Sequence, residues 1–204
     1  MITVPIAVFN ASLRKIVNVP LPFIMAESIV KAAQTFCRKS QLIIYTRSLG
    51  DVTALQDYTL ISDSELNTNK SLLKCSEVIS ISGQEPGSPE PITLHRGSDY
   101  VVYSRDEISF NLAYTNVQVR CAVEPVQSAT ELPIVLLEDY LDGICSGAAS
   151  LLFMQPDSDW SSARLAKHHD TLFIESIVEA RRFRLDANPH QTTASRPVVK
   201  RNFY

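Results

Sequence analysis

The sequence predicts an α+β fold, a helical bundle over residues 21–41 and 129–187 with a β-rich insertion over 42–128. Three observations carry this prediction. Apolar residues recur at helical spacing near the N-terminus, alternate through the middle, and return to helical spacing after Thr130. Val117, Val119, Cys121 and Val123 face one way and Gln118, Arg120 and Ala122 the other. That period of two marks a half-buried strand in an antiparallel sheet. A last helical stretch, from about Trp160 to Leu185, spans on the order of 40 Å at about 1.5 Å per residue.

Residues 1–20 mix apolar and polar side chains between Pro5 and Pro20 and read as an extended arm or edge strand. Pro22 then opens a helix, where its missing N–H costs nothing. Met25, Ile29, Ala32, Ala33 and Phe36 form that helix's inner face, and Glu27, Lys31, Arg38 and Lys39 its wet side. Leu42 to Thr46 is a β-branched run, and Gly50-Asp51 reads as a turn. Further strands are expected over Glu77 to Ser82, Asp99 to Ser104 and Glu107 to Leu112, with a loop from Gly83 to Pro91. Thr130 to Pro133 reads as the cap and first turn of a helix running to Pro156. Small residues from Gly143 to Ala149 allow another helix to approach it closely. Asp157 to Asp159 offer N-caps for the long helix, whose inner stripe is Ala163, Ala166, His169, Phe173, Ile177, Ala180 and Arg184.

Asn188-Pro189 ends that helix and leaves a tail, 188–204, whose composition predicts disorder in a free subunit. Arg196, Val198, Val199, Lys200, Arg201, Phe203 and Tyr204 make its end basic, β-branched and aromatic, the profile of a peptide that orders on a partner. The tail holds three positive charges and no acid, so the remaining chain stands at −6 against −3 for the whole. That balance gives no general reason to bind nucleic acid.

Cys37, Cys75, Cys121 and Cys145 lack metal-ligand spacing and read as buried reduced thiols, with one bridged or redox-active pair as the other reading. No basic region leads an apolar block at the N-terminus, and no apolar run approaches about 18 residues, so neither a signal peptide nor a membrane span is expected. His168 and His169 are adjacent on a helix and point about 100° apart, a poor arrangement for a shared metal. The expected reading puts one against a neighbouring helix and one in solvent; a small hydrolase using either is the rival from another class. No phosphate loop and no GxSxG occurs. Neither catalytic nor metal residues are expected, and no cofactor. Glu175, Glu179, Arg181, Arg182 and Arg184 read as a subunit interface on the long helix, with Arg181 to Arg184 as a phosphate patch the competing reading.

Ala32-Ala33-Gln34-Thr35-Phe36-Cys37-Arg38-Lys39-Ser40 resembles the helix "A-A-x-x-F-C-R-x-S/T" of head–tail adaptors (connectors) of short-tailed bacteriophages. Pro91 to Tyr100 is similar to that family's "P-I-x-L-x-x-G-x-D-Y". Leu132-Pro133, Ile144 to Ala149, Pro156, Trp160-Ser161, Phe173, Ile177 and Ala180-Arg181 follow in the family's order, while the spacer from Gly50 to Lys74 has no counterpart in it. The resemblance covers most of residues 20 to 185. It implies a structural virion protein made in the host cytoplasm and sited at the head–tail junction. There, a ring of about twelve copies closed by rotation would join the portal to a tail nozzle or tail tube. It also implies that the C-terminal tail grips the portal and that DNA passes through the channel without specific binding. A net negative chain suits that role, since a basic wall would hold phosphates. Another tail-tube or head-completion ring subunit is the nearest alternative. Deleting Ser195 to Tyr204 is expected to leave a folded chain that no longer co-sediments with portal rings; undiminished binding would refute the assignment to the tail.

Overall fold

The computed structural model describes residues 1–61 and 72–187. The chain is α+β: helices lie beside several antiparallel sheets, and the last described element is a long helix. Strand β1 (Thr3–Pro5) is followed by α1 (Ala7–Ile16) and α2 (Pro22–Ser40). Among the described residues seven strands follow: β2 (Ile44–Val52), β3 (Asp57–Thr59), β4 (Leu73–Gln84), β5 (Pro91–Leu94), β6 (Tyr100–Val102), β7 (Glu107–Phe110) and β8 (Tyr114–Pro125). Then come β9 (Glu131–Pro133), α3 (Val135–Glu138), α4 (Leu141–Phe153) and α5 (Ala163–Asp186).

The main sheet has the order β2-β8-β4-β5, a second sheet has β3-β7-β6, and β1 pairs with β9. All of these pairings are antiparallel. The expected alternation of β8 holds where Val117 and Val119 are buried and Gln118 is exposed. From Cys121 to Pro125 every residue is buried, because α2 packs on this part of the strand and shields it. The expected inner face of α2 is equally clear, with Met25, Ile29, Ala32, Ala33 and Phe36 all buried.

Several local expectations are corrected. Residues 1–20 are not an extended arm: Ile6, Phe9 and Leu13 recur at helical spacing and are buried, and only Thr3–Pro5 is a strand. Glu131–Pro133 is not a first helical turn but the partner of that strand, whose backbone groups need an antiparallel neighbour. The helix expected over 130–156 is further split at Tyr140, whose φ of −130° and ψ of 21° leave the helical region. Gly50 does not end a strand. It sits in β2 at a bulge, where register passes from Ser48↔Gln118 to Gly50↔Val117, and its φ of +71° is one that glycine adopts without strain. Finally, α5 starts at Ala163 rather than Trp160, since Ser162 and not Asp157 to Asp159 supplies the cap.

One carboxylate joins the layers. Glu124 on β8 is fully buried and accepts hydrogen bonds from Arg38 on α2, at 2.7 Å and 2.8 Å through Nε and Nη2. Lys74 on β4 stands 3.2 Å away and Arg105, in the β6–β7 turn, 3.3 Å away. Burial pushes this carboxyl up, but hydrogen bonding and charge from Arg38 and Lys74 outweigh it and hold its pKa below the ordinary value. Beside it, the side chain of Gln34 donates to the carbonyl of Pro125 at 3.0 Å.

A lowered folded-state pKa gives stability that is complete above the unfolded carboxylate value, near pH 4.3, and is lost as pH falls below it. Glu124→Gln is expected to lower the unfolding free energy by about 1–3 kcal/mol at neutral pH. The loss stays moderate because the three cations remain partly exposed and can rehydrate. Urea titrations at neutral pH and below about pH 4 should show the difference shrinking in acid. A difference independent of pH would show that the charge is not what stabilises the layers.

Candidate functional site

Helix α5 is the element whose surface exceeds what the fold itself uses. Ser162 caps it, its side chain accepting from the Leu165 amide at 3.4 Å. Of the expected inner stripe, Ala166, Phe173, Ile177, Ala180 and Arg184 are buried, while Ala163 is exposed and His169 half-buried. The stripe packs on α4, which is buried almost all round. Two glycines set the distance. A Cβ on Gly143 would come within 2.1 Å of the Ser176 hydroxyl, and one on Gly147 within 2.7–2.9 Å of three ring carbons of Phe173. Phe173 in turn lies 6.3 Å, centroid to centroid, from Phe36 on α2, which stands 5.0 Å from Tyr140.

Of the residues expected at a subunit interface, Glu175, Glu179, Arg181 and Arg182 are exposed on α5. Arg184 differs from them: it is 9% exposed and belongs to the packed stripe. Sequence reasoning missed the apolar residues that accompany the exposed charges. Leu165, Leu172, Ile174, Val178, Phe183 and Leu185 are 39–64% exposed. At about 100° per residue, Leu165, Leu172 and Phe183 fall on one flank of the packed stripe, and Ile174, Val178 and Leu185 on the other. The signal was legible as six large apolar residues outside the inner stripe, but it was eclipsed by the charges between them.

Along the first flank runs a groove between α5 and the α3–α4 corner. One section has a volume of about 570 Å³ and meets a second that opens at Phe183, sharing Glu138, Asp139, Tyr140 and Glu179 with it. Between the rims, Leu137, Tyr140, Leu141 and Leu172 alternate with the small Ser146 and Ser176, and the rims carry Glu138, Asp139, Asp142, Glu175 and Glu179. Burial, and then the nearby Glu179 and Asp139 carboxylates, push the Tyr140 phenol above its ordinary pKa.

His169 stacks on Phe153 of α4 at 5.7 Å and an interplanar angle of 22°, and His168 is exposed beside it. Burial and then His168 lower the pKa of His169, so this ring is held neutral by its packing. No group of three or more His, Cys, Asp or Glu among the described residues could hold a metal ion. All four cysteines are free and buried. Burial, with Asp142 adding to it, pushes the Cys145 thiol up to about 12, and Cys121 is raised by its hydrogen bond to Cys75 and by burial. The tail residues Arg196, Val198, Val199, Lys200, Arg201, Phe203 and Tyr204 lie outside the described residues. Among the described residues no helix is long and apolar enough to cross a membrane.

No family model matches the chain, and no curated protein matches it.

The glycine contacts make a test of how α5 is positioned. Gly147→Ala gains helix propensity of about 1 kcal/mol, but its methyl collides with a buried ring that has nowhere to turn. A net loss of about 1–2 kcal/mol is expected by denaturant titration. Gly143→Ala should cost more, because the Ser176 hydroxyl can rotate away but the Ser176 Cβ, 2.6 Å from the new methyl, is fixed to the α5 backbone. Equal effects at the two positions would contradict this account of the packing.

Proposed function

We propose that this chain is a head-to-tail adaptor of a short-tailed bacteriophage, a non-enzymatic ring subunit that links the portal to the tail and leaves a channel for DNA. The observation that carries this reading is the surface of α5. The helix has 24 residues, about 36 Å at 1.5 Å per residue, and offers exposed apolar side chains on both flanks of its packed stripe. Together the two flanks exceed the scattered single apolar residues of an ordinary surface. Copies standing side by side would set one flank against the opposite flank of the next. This is a heterologous contact, the kind that forms a ring when the rotation between copies closes. The ordered resemblance between residues 20 and 185 supports the same reading and supplies its partners. These are the portal above, bound through the tail at 188–204, and a tail nozzle or tail-tube protein below.

Glu175, Glu179 and Arg182 sit between the flanks, with Arg181 beside the second, and would set the register between neighbouring copies. Each exposed pair is worth only about 0–1 kcal/mol. A free subunit is therefore expected to be monomeric or weakly associated and to form rings on the portal. Light scattering of the chain alone and electron microscopy with portal rings measure both. The Arg181→Glu, Arg182→Glu variant should keep its melting transition and lose ring formation. A stable ring without portal would refute templating, and normal assembly of the variant would refute the role given to α5.

A further inference from the structure

We propose that the C-terminal tail of the free subunit docks in cis, into the acid-rimmed apolar groove between α5 and the α3–α4 corner. The groove floor offers the exposed or half-buried apolar residues Leu137, Tyr140, Leu141 and Leu172, with Ser146 and Ser176 among them, and ends at Phe183. Its five rim carboxylates are exposed, and none forms a salt bridge with a described cation. An apolar floor between acidic rims calls for an occupant that alternates apolar and basic groups.

This chain carries one. Arg196, Val198, Val199, Lys200, Arg201, Phe203 and Tyr204 combine three cations with four apolar side chains, and no acid occurs from Pro189 onward. The point of departure also fits. Phe183, at the open end of the groove, precedes Ala187 by four residues, about 6 Å along the helix axis. Leu172, near the far end, lies about 22 Å back from Ala187. Asn188-Pro189 is a reversal signal placed at the helix end. From there, ten extended residues reach about 33 Å, enough to lay the basic segment along the whole groove. A short tether holds the segment at an effective concentration in the millimolar range, so even weak contacts fill the site. The docked tail covers Leu172 and Phe183, which belong to one apolar flank of α5. In a subunit of the ring proposed above, the same contact would withhold both the flank and the tail until a partner displaces it; the docking itself needs neither portal nor ring.

The test uses the full-length chain, labelled with ¹⁵N and carrying a nitroxide at Ser195→Cys; the four native cysteines are buried. At low salt, amides from Tyr140 to Gly143 and Leu172 to Glu179 should lose most of their intensity. The loss should recede as salt screens the charges. It should also disappear in the Asp139→Asn, Asp142→Asn, Glu175→Gln, Glu179→Gln variant. If that variant does not fold, the salt titration of the unsubstituted groove decides the same question. Absence of broadening at low salt overturns the proposal, as does broadening that survives neutralisation or high salt. Broadening seen only when ¹⁵N-labelled chain is mixed with separate nitroxide-labelled chain also overturns it, and assigns the tail to a neighbouring copy.

Discussion

The fold is organised around a single buried charge. Glu124 sits in the stretch of β8 where every residue is buried, and an isolated carboxylate there would carry a large desolvation cost. Its three partners come from three different elements: Arg38 from α2, Lys74 from β4, and Arg105 from the turn joining β6 to β7. The cost of leaving this carboxylate unmatched therefore couples the helical layer, the main sheet and the second sheet. The arrangement specifies position more than it adds stability. Apolar packing of α2 on β8 would tolerate a shift along the strand, whereas the two-pronged Arg38 contact admits one register.

With α2 fixed in this way, the other helices are placed by size. Phe36 on α2 meets both Tyr140 and Phe173, so one aromatic side chain relates the start of α4 to the middle of α5. Gly143 and Gly147 then let α5 lie closer to α4 than any side chain there would permit. The consequence appears on the far side of α5. A helix held so tightly along one narrow stripe leaves most of its circumference, with the apolar residues on it, outside the core. The surface that carries the proposed function thus follows from the packing that fixes the helix.

How much of this the sequence revealed depended on whether the deciding partner was local. The inner faces of α2 and α5 and the alternation of β8 were legible because a period expresses burial directly. The β-rich middle was legible for the same reason. Residues 1–20 were not, since Pro5 and Pro20 drew attention from the helical spacing of Ile6, Phe9 and Leu13. Nor was Glu131–Pro133, whose conformation is set by pairing with Thr3–Pro5, more than a hundred residues away. Gly50 signalled an irregular backbone correctly and its kind wrongly, because a bulge and a turn both favour a positive φ. Glu124 gave no signal at all: its neutralising partners lie 86, 50 and 19 positions away and meet it only in the folded chain. On α5, the visible charges concealed the apolar flanks interleaved with them.

That interleaving bears on what such a helix can do. Continuous apolar flanks would make free subunits adhere indiscriminately, whereas a wholly charged surface would give neighbours no area to bury. On α5, Glu175, Glu179 and Arg182 separate Leu172 and Phe183 on one side from Ile174 and Val178 on the other, and Arg181 borders Ile174 and Val178 from the side of the packed stripe. Each apolar side chain is therefore bordered by a charge that must find its counterpart before the flank can close. Wrong registers bring like charges together and are rejected by their desolvation as well as their repulsion. On the proposed reading, attraction comes from the apolar area and selectivity from the charges. The acids crowd the flank that borders the groove, and the bases at Arg181 and Arg182 come a turn later. A head-to-tail contact needs a surface that differs from one flank to the other. The uneven distribution of charge along α5 provides that difference, and it turns a sticky helix into a directional one.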